Sequence, residues 1–167
     1  MRTAALAIIG FGLLCSILAS AVEPFELPWV NAPLGKTHFK SNETKNATLI
    51  VVPFYDRCAS CNANAREINE LANRYANEPK IQFIEVGLDQ EPDSDRGWVT
   101  RHNPNHPVLQ DEKGILIGQL GASTLPEAFV LDCRGKIVFR VWGEWRSSEK
   151  LAIMNAIDAV SKVNCQE

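Results

Sequence analysis

The feature that most constrains the fold is the segment Cys58-Ala59-Ser60-Cys61, which lies between two stretches of different periodicity. Residues 48–55 form a short apolar run rich in β-branched side chains, the pattern of a strand buried on both faces. Residues 58–77 instead carry apolar side chains at helical spacing. The two cysteines are therefore predicted to lie where a buried strand ends and a helix begins.

Further elements are predicted from the same two periodicities. Strands are expected at 81–88, 127–131 and 136–142, with a tight turn at 132–135 that makes the last two a hairpin. Helices are expected at 93–103, starting from a capping Asp or Ser, and at 147–163, capped by Ser147 or Ser148. The short segment 115–120 weakly favours a helix, and residues 108–109 are expected to be extended. The order β-α-β-α-β-β-α predicts an α/β fold with a mixed central sheet and helices on both faces.

The N-terminal part of the chain is expected to lie outside this fold. A positive start, an apolar run over residues 4–18 and small residues at 19–21 make residues 1–21 resemble a secretory signal, either cleaved or kept as an anchor. Residues 22–47 carry Pro24, Pro28, Pro33 and Gly35 and are expected to be an irregular lead-in to a domain over 48–167. The protein is therefore expected in the periplasm or otherwise exported, and tied to a membrane only if the signal is retained.

Net charge and cysteine content argue against a nucleic-acid partner and favour disulfide chemistry. The 167 residues carry a formal net charge of −3, so no basic surface is available to neutralise nucleic-acid phosphates. Of the five cysteines, Cys15 lies in the signal and four remain, an even number that favours disulfide chemistry in an exported protein.

The position of Cys58 and Cys61 favours redox chemistry. The unpaired N–H groups at a helix N-terminus stabilise a thiolate, so we expect the pKa of Cys58 to lie below the free value of about 8.5, with Arg57 adding positive charge. Cys61 lies within reach to resolve a mixed disulfide. A static disulfide or half of a zinc site are the alternatives, but no second ligand pair at comparable spacing is present, and we expect no metal and no cofactor.

Pro126 opens the predicted strand 127–131. It is either an ordinary strand-start proline or a cis-proline facing the cysteines. In the second case the backbone of Leu125 is free to pair with an extended substrate segment.

The segments VPFYDRCASCNAN and HPVLQDEKGILIGQLGASTLPEAFVLDCRGKIVFRVWG resemble the thioredoxin-like proteins of the TlpA/ResA/CcmG group. The resemblance runs from about residue 34 to 142 and into the last helix. It implies a thioredoxin-like fold and an exported thiol-disulfide oxidoreductase. Several members of the group serve cytochrome c maturation. The expected partners are proteins with cysteine pairs and a membrane redox protein for recycling, and the group favours a reductase over an oxidase. The alternative is a metallochaperone or interaction module on the same scaffold.

Several positions depart from the group's pattern. Arg57 and the pair Ala59-Ser60 replace its Trp and its Gly-Pro or Glu-Pro, and Arg66 replaces a helix-kinking Pro. Val52 stands where thioredoxin has a buried Asp. Asp56 and Glu67 could replace this acid, although each is more readily explained as a solvated surface carboxylate. Glu85 is unusual inside an apolar strand, where it is either at the solvated end of the strand or a buried acid. His102 and His106 are expected to be exposed.

Cys133 and Cys165 are predicted to form a second, structural disulfide. The turn at 132–135 and the end of the last helix are expected at the same end of the domain, opposite the cysteine pair. The alternative is two unrelated thiols.

Overall fold

The computed structural model of the protein describes residues 21–44 and 46–163. In chain order its strands and helices are β1 (Glu26–Pro28), β2 (His38–Lys40), β3 (Thr48–Phe54), α1 (Ala59–Arg74), β4 (Ile81–Gly87), α2 (Pro92–His102), β5 (Val108–Gln110), α3 (Ile115–Leu120), β6 (Glu127–Leu131), β7 (Ile137–Trp142) and α4 (Ser147–Val160). A 3₁₀ turn, Ser41–Glu43, follows β2. The expected signal segment 1–21 lies outside the described residues except for its last residue.

A five-stranded mixed sheet forms the centre, in the order β5-β4-β3-β6-β7. β3 pairs parallel with β4 and antiparallel with β6, and β6 and β7 form the predicted hairpin. Every residue of β3 is buried, because this strand has a neighbour on each side and packing layers above and below it. The predicted mixed sheet with helices on both faces is confirmed.

The alternation of side chains along the strands builds two apolar layers. Ile50 and Phe83 point to the face covered by α1 and α4, where Ile68 and Ile157 pack against them. We call this the α1 face of the sheet. The opposite face is covered by α3 and by the N-terminal segment.

The prediction that residues 22–47 are irregular is wrong for β1 and β2. These short strands pair antiparallel and bury Leu27 and Phe39 in the core. The segment also covers the edge strand β5, since Val30 N–H donates to Val108 O at 2.8 Å. Sequence analysis missed both strands because each has three residues and only one buried side chain.

Two helix starts differ from the prediction. α2 begins with Pro92 after Glu91, with no side-chain cap, because proline is favoured at a first helical position where its missing N–H costs nothing. α4 is preceded by Arg146, whose N–H donates to Glu149 Oε2 at 3.1 Å, so neither Ser147 nor Ser148 is its cap.

Candidate functional site

The cysteine pair lies at the junction that the sequence predicts. β3 ends at Phe54, and Cys58 is the N-cap of α1, with its Sγ accepting a hydrogen bond from Cys61 N–H at 3.1 Å. Cys58 and Cys61 form a disulfide with a Cα–Cα distance of 5.2 Å. Cys58 is half-buried, whereas Cys61 is 3% exposed. An incoming thiolate or disulfide therefore has access to Cys58, and Cys61 is placed to resolve it.

The loop before Cys58 is fixed by two side chains from other parts of the chain. Asn62 Nδ2 donates to Asp56 O at 2.8 Å and to Cys58 O at 2.9 Å. Asp89 Oδ2 accepts from Asp56 N–H at 2.7 Å. These bonds hold the helix N-terminus and the first cysteine in one arrangement.

Leu125 and Pro126 are brought to the same place from the other half of the chain. The Leu125–Pro126 peptide bond is cis. Leu125 packs, with Cys58, against an apolar group made by Phe54, Cys61, Ala65, Trp98 and Val108, which we call the cysteine cluster. The expectation that this proline lies near the cysteine pair agrees with the geometry, and its role with substrate stays a prediction.

Arg57 has an exposed side chain next to Cys58. Its effect on the pKa of Cys58 stays a prediction.

Asp56 and Glu67, which the sequence favours as solvated surface carboxylates, are instead both half-buried and ion-paired. Asp56 pairs with Arg101. Glu67 pairs with Lys150 and lies 2.9 Å from Arg66 Nη2, and hydrogen bonds from these two bases lower the pKa of Glu67. A carboxyl group with a lowered pKa is a poor proton acceptor for a thiol at neutral pH.

Glu85 is buried rather than at a wet strand end, with 2% exposure. Its Oε2 accepts a hydrogen bond from Trp98 Nε1 at 3.2 Å and lies 3.2 Å from His106 Nε2. The prediction that His106 is exposed is wrong, since it is 7% exposed. It is buried because the N-terminal segment crosses beside it, where Asn31 Nδ2 donates to His106 O at 2.8 Å.

His102 also differs from the predicted exposed position. It is half-buried, and its ring lies 4.3 Å from the Trp98 ring. Its Nε2 lies 2.8 Å from Asn62 Oδ1, and burial lowers the pKa of His102. It therefore braces the side chain that holds the Cys58 loop.

Sequence analysis missed Asp95, which is fully buried in α2. Within the described residues neither of its carboxylate oxygens has a hydrogen-bond partner. Burial, with smaller contributions from Asp89 and Asp56, raises the pKa of Asp95 to about 7. In the sequence Asp95 looks like an ordinary polar residue at a helix start. The signal that could have indicated its burial is Gly87, because a glycine at the end of a buried strand often marks the close approach of another element.

Glu127, next to Pro126, is a second missed acid. It is 1% exposed and lies 3.6 Å from Arg140 Nη1, and burial raises its pKa. Its strand neighbour Phe129 points to the face opposite α1, so Glu127 lies on that side of the sheet, away from Cys61.

Cys133 lies in the turn between β6 and β7. Cys165 lies outside the described residues, so the bridge between them stays a prediction. Among the described residues no group of three or more His, Cys, Asp or Glu side chains could hold a metal ion. The described part of the chain also contains no helix long and apolar enough to cross a membrane.

With this geometry in place, the family follows from comparison with known proteins. The AhpC/TSA family profile matches residues 19–140. The chain belongs to the AhpC/TSA family. Thiol-disulfide oxidoreductase ResA of Bacillus thuringiensis is 29% identical over 87 residues, covering 52% of this chain and 50% of that protein. Thiol:disulfide interchange protein DsbE of Haemophilus influenzae is 33% identical over 90 residues, covering 52% and 46%.

The chain thus spans about half the length of the curated relatives it matches. A solved structure, a thiol:disulfide interchange protein of the thioredoxin family from Chlorobium tepidum, has a TM-score of 0.70 at 15% identity and covers 85% of this chain and 96% of that one. The similarity to ResA and DsbE confirms the resemblance to the TlpA/ResA/CcmG group, and the similarity to the solved structure confirms the thioredoxin-like fold.

Proposed function

We propose that this protein is an exported thiol-disulfide oxidoreductase that exchanges disulfides with cysteines of other proteins. The observation that carries the proposal is the pairing of a half-buried Cys58 at the N-cap of α1 with a buried Cys61. A structural disulfide gains nothing from a helix N-terminus, whereas a nucleophilic thiolate is stabilised there.

The exchange takes two steps. In the reducing direction the Cys58 thiolate attacks a substrate disulfide, and one substrate thiolate leaves as the mixed disulfide forms. Cys61 then loses its proton and attacks Cys58 Sγ, the bond to the substrate breaks, and the second substrate thiolate leaves. Two electrons pass from the cysteine pair to the substrate. The oxidising direction is the reverse.

The substrate segment is proposed to lie along Leu125 and Pro126. Leu125 packs beside Cys58, so a strand paired with its backbone would bring a substrate cysteine to Cys58. We propose reduction as the physiological direction and a membrane redox protein as the partner that restores the dithiol, both by analogy with the group. Residues 1–21 are proposed to direct export.

Turnover of insulin disulfides tests the proposal. The reduced protein should precipitate insulin chains with dithiothreitol as donor, and Cys58→Ser should abolish this activity. The double variant Cys133→Ser/Cys165→Ser, which leaves the Cys58–Cys61 pair intact, is the matched control and should retain it. Equal activity of Cys58→Ser and the control would exclude the proposed function.

The reduction potential of the Cys58–Cys61 pair tests the direction. Equilibration with glutathione buffers should give a potential low enough for the dithiol to reduce other proteins. A potential near that of a strong oxidant, about −120 mV, would instead assign the protein to disulfide formation.

A further inference from the structure

A buried acid–base pair, Glu85 of β4 and His106 just before β5, lies at the α1 face of the sheet. Glu85 stands in register between Val52 of β3 and Val108 of β5. Residues paired in register on parallel strands share a face, so Glu85 points to the α1 face, as Phe83 two residues earlier does. A carboxyl group in the middle of an apolar layer is costly unless it is satisfied, so its presence needs a reason.

The carboxyl group of Glu85 lies against the cysteine cluster. Trp98, whose indole donates to Glu85 Oε2 at 3.2 Å, belongs to this cluster, and so does Val108, the register neighbour of Glu85. Cys61 belongs to the same cluster. Two side chains that contact the surroundings of Cys61 therefore also flank Glu85.

The other side of Glu85 leads to the surface. His106 Nε2 lies in ion-pair contact with Glu85 Oε2 at 3.2 Å but, within the described residues, makes no hydrogen bond, so the ring must turn slightly to take a proton from the carboxyl group. On its other side, His106 Nδ1 lies 3.1 Å from Oδ1 of the exposed Asn105. His106 also lines a surface cavity of about 350 Å³ together with Tyr75 and Gln82. A proton on Glu85 thus has a route to solvent through the imidazole ring.

Cys61 needs such a group. It is 3% exposed, and burial in an apolar cluster disfavours the thiolate that must attack Cys58. We propose that Glu85 accepts the proton of Cys61 when the mixed disulfide is resolved, and that His106 positions the carboxylate and relays the proton outward. The inference rests on the proposed function and deepens it.

The protons and electrons of this step balance. The Cys61 S–H proton passes to the Glu85 carboxylate, and the resulting thiolate attacks Cys58 Sγ as the bond to the substrate sulfur breaks. Glu85 then gives the proton to His106 Nε2, and the proton on Nδ1 goes to solvent. The titratable groups facing Glu85 are His106 and, from α2, His102, whose protonation Glu85 favours electrostatically.

Asp95 is the rival acceptor, and the geometry disfavours it. It is buried like Glu85, but within the described residues no histidine is in ion-pair or hydrogen-bond contact with its oxygens, whereas His106 contacts Glu85. A proton taken up there has no comparable exit. Asp95→Asn is therefore the matched control for Glu85→Gln.

Stopped-flow reaction of Ellman's reagent with the reduced full chain, in which Cys15, Cys133 and Cys165 are replaced by Ser so that only Cys58 and Cys61 react, separates the two chemical steps. Cys58 releases the first thionitrobenzoate, and attack by Cys61 on the resulting mixed disulfide releases the second. We expect Glu85→Gln to slow the second release at pH 7 by roughly 10- to 100-fold and to leave the first within about twofold. In Asp95→Asn both releases should stay within about twofold of the wild type.

The pH profile distinguishes proton transfer from a structural effect. In Glu85→Gln the second release should rise by about tenfold per pH unit near neutrality, because solvent alone then removes the proton. His106→Gln should slow the second release at pH 7, because the proton taken up by Glu85 then lacks its route to solvent, and leave the first release unchanged. If Glu85→Gln does not fold by circular dichroism, Glu85→Asp takes its place with the same expected selectivity.

Three results would overturn the proposal: an unchanged second release in the Glu85 variant, an equal slowing of both releases, or a slowed second release in Asp95→Asn alone. An unchanged second release in His106→Gln would show that His106 does not relay the proton. Because Ellman's reagent needs no protein substrate, failure in the insulin assay and failure here are separate outcomes.

Discussion

Gly87 lies directly beneath the carboxyl group of Asp95: a Cβ placed on Gly87 would lie 2.1 Å from Asp95 Oδ1 and 2.3 Å from its Cγ. Gly87 also pairs in register with Phe54, the last residue of the strand that leads to Cys58. The missing side chain at the end of β4 is what lets α2 pack its buried acid against the sheet, close to the active-site loop.

Gly87→Ala should therefore destabilise the protein. The added methyl group must push Asp95 out of its site, which costs about 1–3 kcal/mol of unfolding free energy. Gly118→Ala, in α3, is the control, because nothing lies within 4 Å of a Cβ there and alanine favours helix. Urea denaturation of both variants measures the difference, and equal stability would show that α2 packs differently.

Asp95 should make stability fall as pH rises. Its pKa is raised from 3.8 to about 7 in the folded protein, so between these values the folded state holds a proton that the unfolded state has lost. Stabilisation by this group is complete at low pH and is lost as pH rises through that range. Asp95→Asn should remove this dependence and be more stable than the wild type at pH 8 by roughly 1–3 kcal/mol. Parallel stability curves from pH 4 to 8 would contradict the assignment.

Cys61→Ser should accumulate mixed disulfides through Cys58. The half-buried Cys58 meets the substrate, and without Cys61 the covalent complex is not resolved. Non-reducing gels and peptide mass mapping identify the linked cysteine. Trapping through Cys61 in Cys58→Ser, and not the reverse, would exchange the two roles.

Arg57→Ala should have a small effect on the reactivity of Cys58. The guanidinium is exposed, so solvent screens its charge, whereas the helix N-terminus acts on the sulfur at short range. Iodoacetamide alkylation at pH 7 should slow by less than about threefold, and high salt should remove the difference. A tenfold loss would assign thiolate stabilisation mainly to Arg57.

Cys133 and Cys165 should be linked in protein taken from an oxidising compartment. The turn that carries Cys133 lies at the end of the sheet away from the cysteine pair. Cys165→Ser should lower the unfolding free energy by roughly 3–4 kcal/mol if loop closure dominates. Peptide mapping without reduction detects the bridge directly, and two alkylatable thiols at these positions would disprove it.

Local sequence determined the elements that carry the cysteine pair. The apolar run of β3, the helical spacing after Cys61 and the tight turn before β7 are short-range patterns, and each appears in the structure within a few residues of its predicted bounds. The segment around Pro126, together with the cysteine motif, carried the resemblance to the group. That resemblance predicted that the part of the chain with Pro126 lies near the part with Cys58.

Tertiary structure decided which polar residues are buried. From the sequence, Glu85 is ambiguous and His106 is expected to be exposed. They meet because the segment before β5 brings the His106 ring, and α2 brings the Trp98 indole, to the carboxyl group of Glu85. Asp95 is buried only because Gly87, from another element, leaves room for it. Burial depends on neighbours distant in the chain, whereas periodicity depends on neighbours within a few residues. That difference is why the sequence determined the cysteine site, and only the fold revealed the buried acids around it.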